Sequence, residues 1–150
     1  MFGAMEWIAE FLLAPLLVGV AVFIGQLAFS YYQLPKPSLK LKATDTRTIN
    51  QVTLTFFLVN EGRTALHTPL LNLDLGSVSL ISGDFIVGHS GRLIYKHANP
   101  LLPGGIGLVL HLTINGEIPQ IINYIIQGEE KRHTGKIDIE QWNRETKEVN

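Results

Sequence analysis

The hydrophobic pattern of this chain changes character once. From Phe11 to Phe29 it reads FLLAPLLVGVAVFIGQLAF, with no charge and a single polar side chain, Gln26. A bilayer core of about 30 Å takes roughly 20 apolar helical residues. A soluble core helix would show polar residues every three or four positions. The run therefore predicts a membrane-spanning helix over residues 11–32, after a short N-terminal segment 1–10. Gln33-Leu34-Pro35-Lys36-Pro37 follows, and its prolines hold the chain extended, predicting a short, stiff linker over 33–37.

From Ser38 the period becomes two. Leu39, Leu41 and Ala43 alternate with Lys40 and Lys42. Val52, Leu54, Phe56 and Leu58 alternate with Thr53, Thr55, Phe57 and Val59, a segment apolar on much of both faces, as a central strand is. Asn60-Glu61-Gly62 ends it. Leu71, Leu73 and Leu75 mark the next strand. Short runs follow at residues 78–81, 85–87 and 93–95, parted by Ser82-Gly83-Asp84 and Gly88-His89-Ser90-Gly91. Ile106, Leu108, Leu110, Leu112 and Ile114 alternate after a Pro103-Gly104-Gly105 loop. Residues 121–126 and 136–139 form a last pair around a charged tip, Gly128-Glu129-Glu130-Lys131-Arg132. Seven or eight short strands at spacings near ten residues predict an all-β fold, a Greek-key sandwich over 38–142, with a small closed barrel as the alternative. The charged segment 143–150 is expected to fray.

Charge gives the helix a direction. All 12 Lys and Arg follow it, and Lys36, Lys40, Lys42 and Arg47 lie within about 20 residues of its end, where the positive-inside bias acts. The β-domain is thus expected on the cytoplasmic side of the inner membrane, with the N-terminus outside. A cleaved signal peptide would carry a basic leader and a small-residue cutting site; MFGAMEWIAE has no Lys or Arg, and no A-x-A pattern follows the run. The same four basic residues are candidates for contact with anionic lipid. Trp7 and the Tyr31/Tyr32 pair flank the run, as interfacial aromatics do. The absence of cysteine and of an N-x-S/T sequon agrees with a cytoplasmic domain, and a net charge of −1 gives no global reason to expect nucleic acid. Within the helix, Ala21 and Gly25 form a small-x-x-x-small pair beside Gln26, a candidate surface for self-association.

Two stretches resemble bacterial and archaeal immunoglobulin-like sandwich domains of the cell-adhesion-related or fibronectin-like kind. One is Phe57-Leu58-Val59-Asn60-Glu61-Gly62-Arg63-Thr64-Ala65 with the Leu71/Leu73/Leu75 strand after it; the other is Leu102-Pro103-Gly104-Gly105 before an alternating strand. The resemblance implies an immunoglobulin-like Greek-key β-sandwich serving as a binding or spacer module, with no catalytic residues to transfer.

The residues offer little chemistry. His67, His89, His97, His111 and His133 are at least eight positions apart, unlike the close pairs of zinc sites, so no metal is expected. Ser90 beside His89 lacks the strand–G-x-S-x-G–helix setting of a nucleophile elbow and reads as a turn. Glu129-Glu130 next to Lys131-Arg132 reads as a self-neutralising hairpin tip. Pro103-Gly104-Gly105-Ile106-Gly107 has neither the helix nor the lysine of a phosphate loop. No enzyme activity and no cofactor are expected. The expected role is a protein-interaction or scaffolding module at the membrane, with the bilayer, an unidentified protein or other membrane subunits, and a second copy through the helix as partners. Phe57, Tyr95 and Leu101 are the candidate partner-binding positions. The alternatives are an exported surface or pilus-like subunit, and a small membrane-acting toxin or defence effector.

Overall fold

The structure is a computed structural model that describes residues 2–46, 48–104 and 107–148. The chain divides into two compact units, residues 1–34 and 35–150.

The first unit is helical from Phe2 to Gln33. Helix α1 (Phe2–Ile8) passes through a π-helical turn, Ala9–Leu13, into α2 (Ala14–Gln33). Pro15 explains the wide turn. It has no N–H for the carbonyl of Phe11, and its ring would press on that oxygen in a regular α-helix. The turn before it opens instead, and the Ala14 N–H reaches back five residues to the Ala9 carbonyl. From Met5 to Gln33 the helix runs 29 residues, about 43 Å at 1.5 Å per residue, long and apolar enough to cross a membrane. Leu34 ends it in an extended conformation, its N–H still bonded to the Tyr31 carbonyl at 3.3 Å.

The second unit is a sandwich of two antiparallel sheets. Its strands are β1 (Pro37–Thr46), β2 (Gln51–Asn60), β3 (Leu70–Asp74), β4 (Ser79–Gly83), β5 (Ile86–Val87), β6 (Leu93–Lys96), β7 (Leu108–Asn115), β8 (Ile121–Gln127) and β9 (Arg132–Asp138). One sheet has the order β1-β2-β7-β4, the other β5-β6-β3-β8-β9. Among the described residues the strands number nine rather than seven or eight. Inward rows of alternating residues build the core: Leu54, Phe56 and Leu58 of β2, Leu110, Leu112 and Ile114 of β7, Leu71 and Leu73 of β3, and Ile122, Tyr124 and Ile126 of β8. Ile106 of the expected 106–114 strand lies outside the described residues, and β7 begins at Leu108.

Three local features depart from simple alternation. Lys42 is an extra residue in β1: Leu41 pairs with Phe56 and Ala43 with Thr55. The bulge ends the inward alternation, so Ala43 is exposed rather than buried. Between β4 and β5 the chain crosses from one sheet to the other, and Gly83 makes the crossing with φ +135°. A Cβ there would sit 2.4 Å from the His111 carbonyl oxygen, so only glycine fits. The crossing is then fixed by a reciprocal pair, Asp84 N–H to the His111 carbonyl at 3.0 Å and His111 N–H to Asp84 Oδ2 at 2.7 Å.

Finally, the charged C-terminal segment, expected to fray, is helical as far as Glu148. Residues Ile139–Glu148 form helix α3. Asp138 Oδ1 caps it, accepting from the Glu140 and Gln141 N–H groups at 3.0 and 3.2 Å. Trp142 docks it, donating its indole N–H to the Leu41 carbonyl at 2.7 Å, next to the β1 bulge.

Candidate functional site: the sandwich end that receives the chain

Strand register gathers one set of loops at the end where the chain enters. Pro37 pairs with Asn60, Leu70 with Lys96 and Gln127, and Gln127 with Arg132. The loops after β2, after β6 and between β8 and β9 therefore share that end.

Asn60 organises it. Among the described residues it is the only buried polar side chain, 3% exposed. Its Oδ1 accepts from the Lys36 and Gly62 N–H groups, both at 3.0 Å. Its Nδ2 donates to the Thr64 carbonyl at 2.7 Å and the Leu101 carbonyl at 3.0 Å. Its backbone carbonyl accepts from the Gly104 N–H at 3.0 Å. The side-chain amide thus uses two acceptor sites and both donors, the full planar capacity of the group. It joins the Asn60-Glu61-Gly62 corner to the Pro103-Gly104 turn, the two stretches that carry the family resemblance.

The same hub absorbs the linker. Pro35 and Pro37 are buried, and the Lys36 carbonyl accepts the Glu61 N–H at 2.9 Å. Residues 35–37 therefore belong to the sandwich, and Leu34 alone separates Pro35 from the last residue of α2.

A second cluster lies on the loop between β2 and β3 and on the β8–β9 tip. His67 Nδ1 and Glu130 Oε1 are in direct contact, and the His67 backbone N–H donates to Glu130 Oε2 at 2.9 Å. The Glu129 N–H donates to the His67 carbonyl at 3.0 Å. Hydrogen bonding to Glu130, with that carboxylate's charge behind it, raises the His67 pKa above the ordinary imidazole value. Desolvation pushes Glu130 upward, but the bonds from His67 prevail and its carboxyl titrates below the usual glutamate value. The hairpin tip does not neutralise itself as expected: among the described residues, Glu130 makes its ion pair with His67. Lys131 lines a separate recess with Lys36, Pro37, Ser38, Glu61 and His133.

The other residues singled out in the sequence are spread over the unit. Lys36 and Lys40 are exposed, and Lys40 holds an ion pair with Glu61 at 2.8 Å. Lys42, on the bulge, places its ammonium 5.8 Å from the centre of the Phe57 ring. Arg47 lies outside the described residues. Lys36 and Lys42 are about 20 Å apart along β1, at 3.3 Å per residue, so the strand distributes these cations along an edge. Ala21, Gly25 and Gln26 lie on α2, the first two one turn apart on one face, with open space beside Gly25.

Of the three partner-binding candidates, Leu101 is buried at 4% exposure, because its backbone bridges to Leu66 and its side chain joins the core. It is therefore not a surface position. Phe57 and Tyr95 are half-buried; Tyr95 packs on Phe85, and its hydroxyl bonds His97 Nδ1 at 2.8 Å. Exposed apolar side chains sit elsewhere: Ile81, Ile86 and Val87 on the edge strands β4 and β5, and singly Ile49, Leu102, Val109 and Ile121. Ile81 is the extra residue of a second bulge, a position that alternation does not reveal. Ser90 stands exposed in a 3-10 turn between β5 and β6 with φ +65°, in keeping with the turn expected there.

No protein family profile matches the chain. No curated protein matches it. Among solved structures it is similar to the chitin-binding domain of a chitinase from Pyrococcus furiosus, with 13% identity over 67% of this chain and 100% of that one, at a TM-score of 0.46. It is also similar to the chitin-binding domain of Chi18aC from Streptomyces coelicolor, with 18% identity, 56% and 84% coverage, and a TM-score of 0.46. These likenesses concern the sandwich arrangement.

Proposed function

We propose that the chain is a non-enzymatic single-pass membrane protein whose immunoglobulin-like sandwich is an interaction or scaffolding module at the cytoplasmic face. The observation that carries this reading is the joint. Pro35 is buried in the sandwich and Lys36 is tied to it by both backbone groups, one to Asn60 Oδ1 and one to Glu61. A domain meant to search space at a distance would have a flexible polar tether. Here a single residue, Leu34, lies between the end of an apolar helix and a packed core. Such a joint serves to hold a surface near the bilayer.

The direction of the domain rests on the basic residues, all of them C-terminal to the helix. The surface offered to a protein is the β4–β5 edge. Each of these strands has one neighbour in its sheet, so its outer backbone groups are open, and Ile81, Ile86 and Val87 project there at 46%, 66% and 58% exposure. An exposed apolar sheet edge invites an added strand. Chitin binding belongs to the two similar domains and is not carried over to this chain.

The test is co-purification of the full-length chain from membranes, native and with Ile86→Glu and Val87→Glu. A protein retained by the native chain and lost with the edge variants supports the reading. Retention of the chain on colloidal chitin, or a partner indifferent to both edge variants, counts against it.

A further inference from the structure

We infer that His67, Glu129 and Glu130 form a divalent-metal site that clips the loop between β2 and β3 to the β8–β9 tip. One imidazole nitrogen and two carboxylate oxygens, one from each residue, lie within 4.8 Å of one another. Ligand atoms about 2.0–2.2 Å from one tetrahedral ion sit roughly 3.3–3.6 Å apart. His67 Nδ1 and Glu130 Oε1 are already in contact, closer than two ligands of one ion, so the set must open at that pair and draw Glu129 in by up to about an ångström, changes that glutamate side chains at an exposed tip supply by a change of rotamer.

The backbone under the ligands is already fixed. Glu129 N–H is bonded to the His67 carbonyl, and His67 N–H to Glu130 Oε2. Gly128 lets the tip press against the loop: a Cβ there would lie 2.4 Å from Leu66 Cδ1 and 2.8 Å from the His67 carbonyl oxygen. Leu66 is itself fully buried. The two ligand-bearing segments therefore share one spacing, set by the core. The charge is unresolved, however. Glu130 is engaged by His67, whereas the Glu129 carboxylate makes no hydrogen bond or ion pair among the described residues and faces a second carboxylate. A divalent cation that displaces the proton held between His67 and Glu130 would leave the imidazole neutral to ligate and would answer both carboxylates at once.

The donor set selects the ion. One nitrogen and two oxygens suit a borderline cation such as Zn²⁺, with Co²⁺ as its spectroscopic stand-in. Calcium asks for six to eight oxygens and is disfavoured. Exposure leaves the fourth position to water or to a carboxylate from a partner. Sequence spacing hid the set because His67 and Glu130 are 63 positions apart.

The experiment uses the full-length chain in detergent micelles, stripped with chelator and titrated with Zn²⁺ by calorimetry and with Co²⁺ by visible absorption. The expected result is one Zn²⁺ per chain and a Co²⁺ band displaced by Zn²⁺. Glu129→Gln, which removes no bond present in the fold, should weaken binding by about tenfold or more. His67→Ala should abolish it. The remaining histidines provide the background, read from the His67→Ala titration. If that variant fails to fold, Glu129→Gln decides alone. Zinc binding that is absent, or unchanged in Glu129→Gln, overturns the site.

Discussion

Replacing Asn60 by Ala removes a side chain that four backbone groups rely on. The Lys36 and Gly62 N–H groups lose their acceptor, and the Thr64 and Leu101 carbonyls lose a donor, at original distances between 2.7 and 3.0 Å. Each intramolecular hydrogen bond contributes about 1 kcal/mol net, and a buried group left unpaired costs about 1–3 kcal/mol. Water entering the vacated space recovers part of this, so the expected loss is about 3–5 kcal/mol. That is a large share of the roughly 5–15 kcal/mol typical of a domain. Asn60→Asp discriminates further. It keeps an acceptor for Lys36 and Gly62 but turns a buried charge toward two carbonyl oxygens, so it should be at least as damaging at neutral pH. In acid, a protonated carboxyl can donate to one of those carbonyls and recover part of the loss. The assay is urea unfolding of the full-length chain in micelles, followed by Trp142 fluorescence in a Trp7→Phe background. Hydrogen exchange at Lys36 and Gly62 is read in parallel. A loss below about 1 kcal/mol, with the Lys36 amide still protected, would refute the hub.

Three further outcomes follow from particular contacts. Gly83→Ala should destabilise the sandwich by roughly 2–4 kcal/mol in the same urea assay, because it places a Cβ against the His111 carbonyl at a φ that only glycine adopts readily. Trp142→Phe keeps an aromatic ring but loses the pyrrole part of the indole and its N–H bond to Leu41, and should cost at least about 1 kcal/mol and speed amide exchange within α3. The Asp138 carboxyl is held below the ordinary aspartate value, first by the Gln141 N–H and then by the Gln120 amide, the Glu140 N–H and the Arg144 charge, against desolvation. Its folded value is lowered, so the cap contributes fully above the unfolded aspartate value of 3.8 and is lost as pH falls below it. Circular dichroism should show α3 melting over that acid range, and Asp138→Ala should fray the helix already at neutral pH.

The helix and the strands were legible because each announces itself by a local period: an unbroken apolar run, or alternation that survives into the buried rows of β2, β7 and β8. Bulges were not, since a single extra residue such as Lys42 or Ile81 leaves composition unchanged and alters only register. Helix α3 left a readable trace. Asp138 is a good cap, and Ile139 and Trp142 are spaced three apart, but the charges that follow Trp142 point to a frayed tail. The corner at Asn60-Glu61-Gly62 was visible as a turn, whereas its purpose was not. Its partners, Lys36 and Leu101, are 24 and 41 residues distant. His67 and Glu130 were hidden by the same long separation, as was the burial of Leu101, whose bridging partner Leu66 is on a distant loop.

The proposed membrane anchor and its orientation are open to direct measurement. The chain has no cysteine, so single cysteines can be placed without background, one at Met5 and one at Glu148, both exposed positions. Intact cells are treated with an impermeant maleimide before and after permeabilisation. The predicted result is a Met5→Cys chain that labels from outside and a Glu148→Cys chain that labels only once the membrane is opened. A Glu148→Cys chain that reacts in intact cells would place the sandwich outside and contradict the cytoplasmic mount.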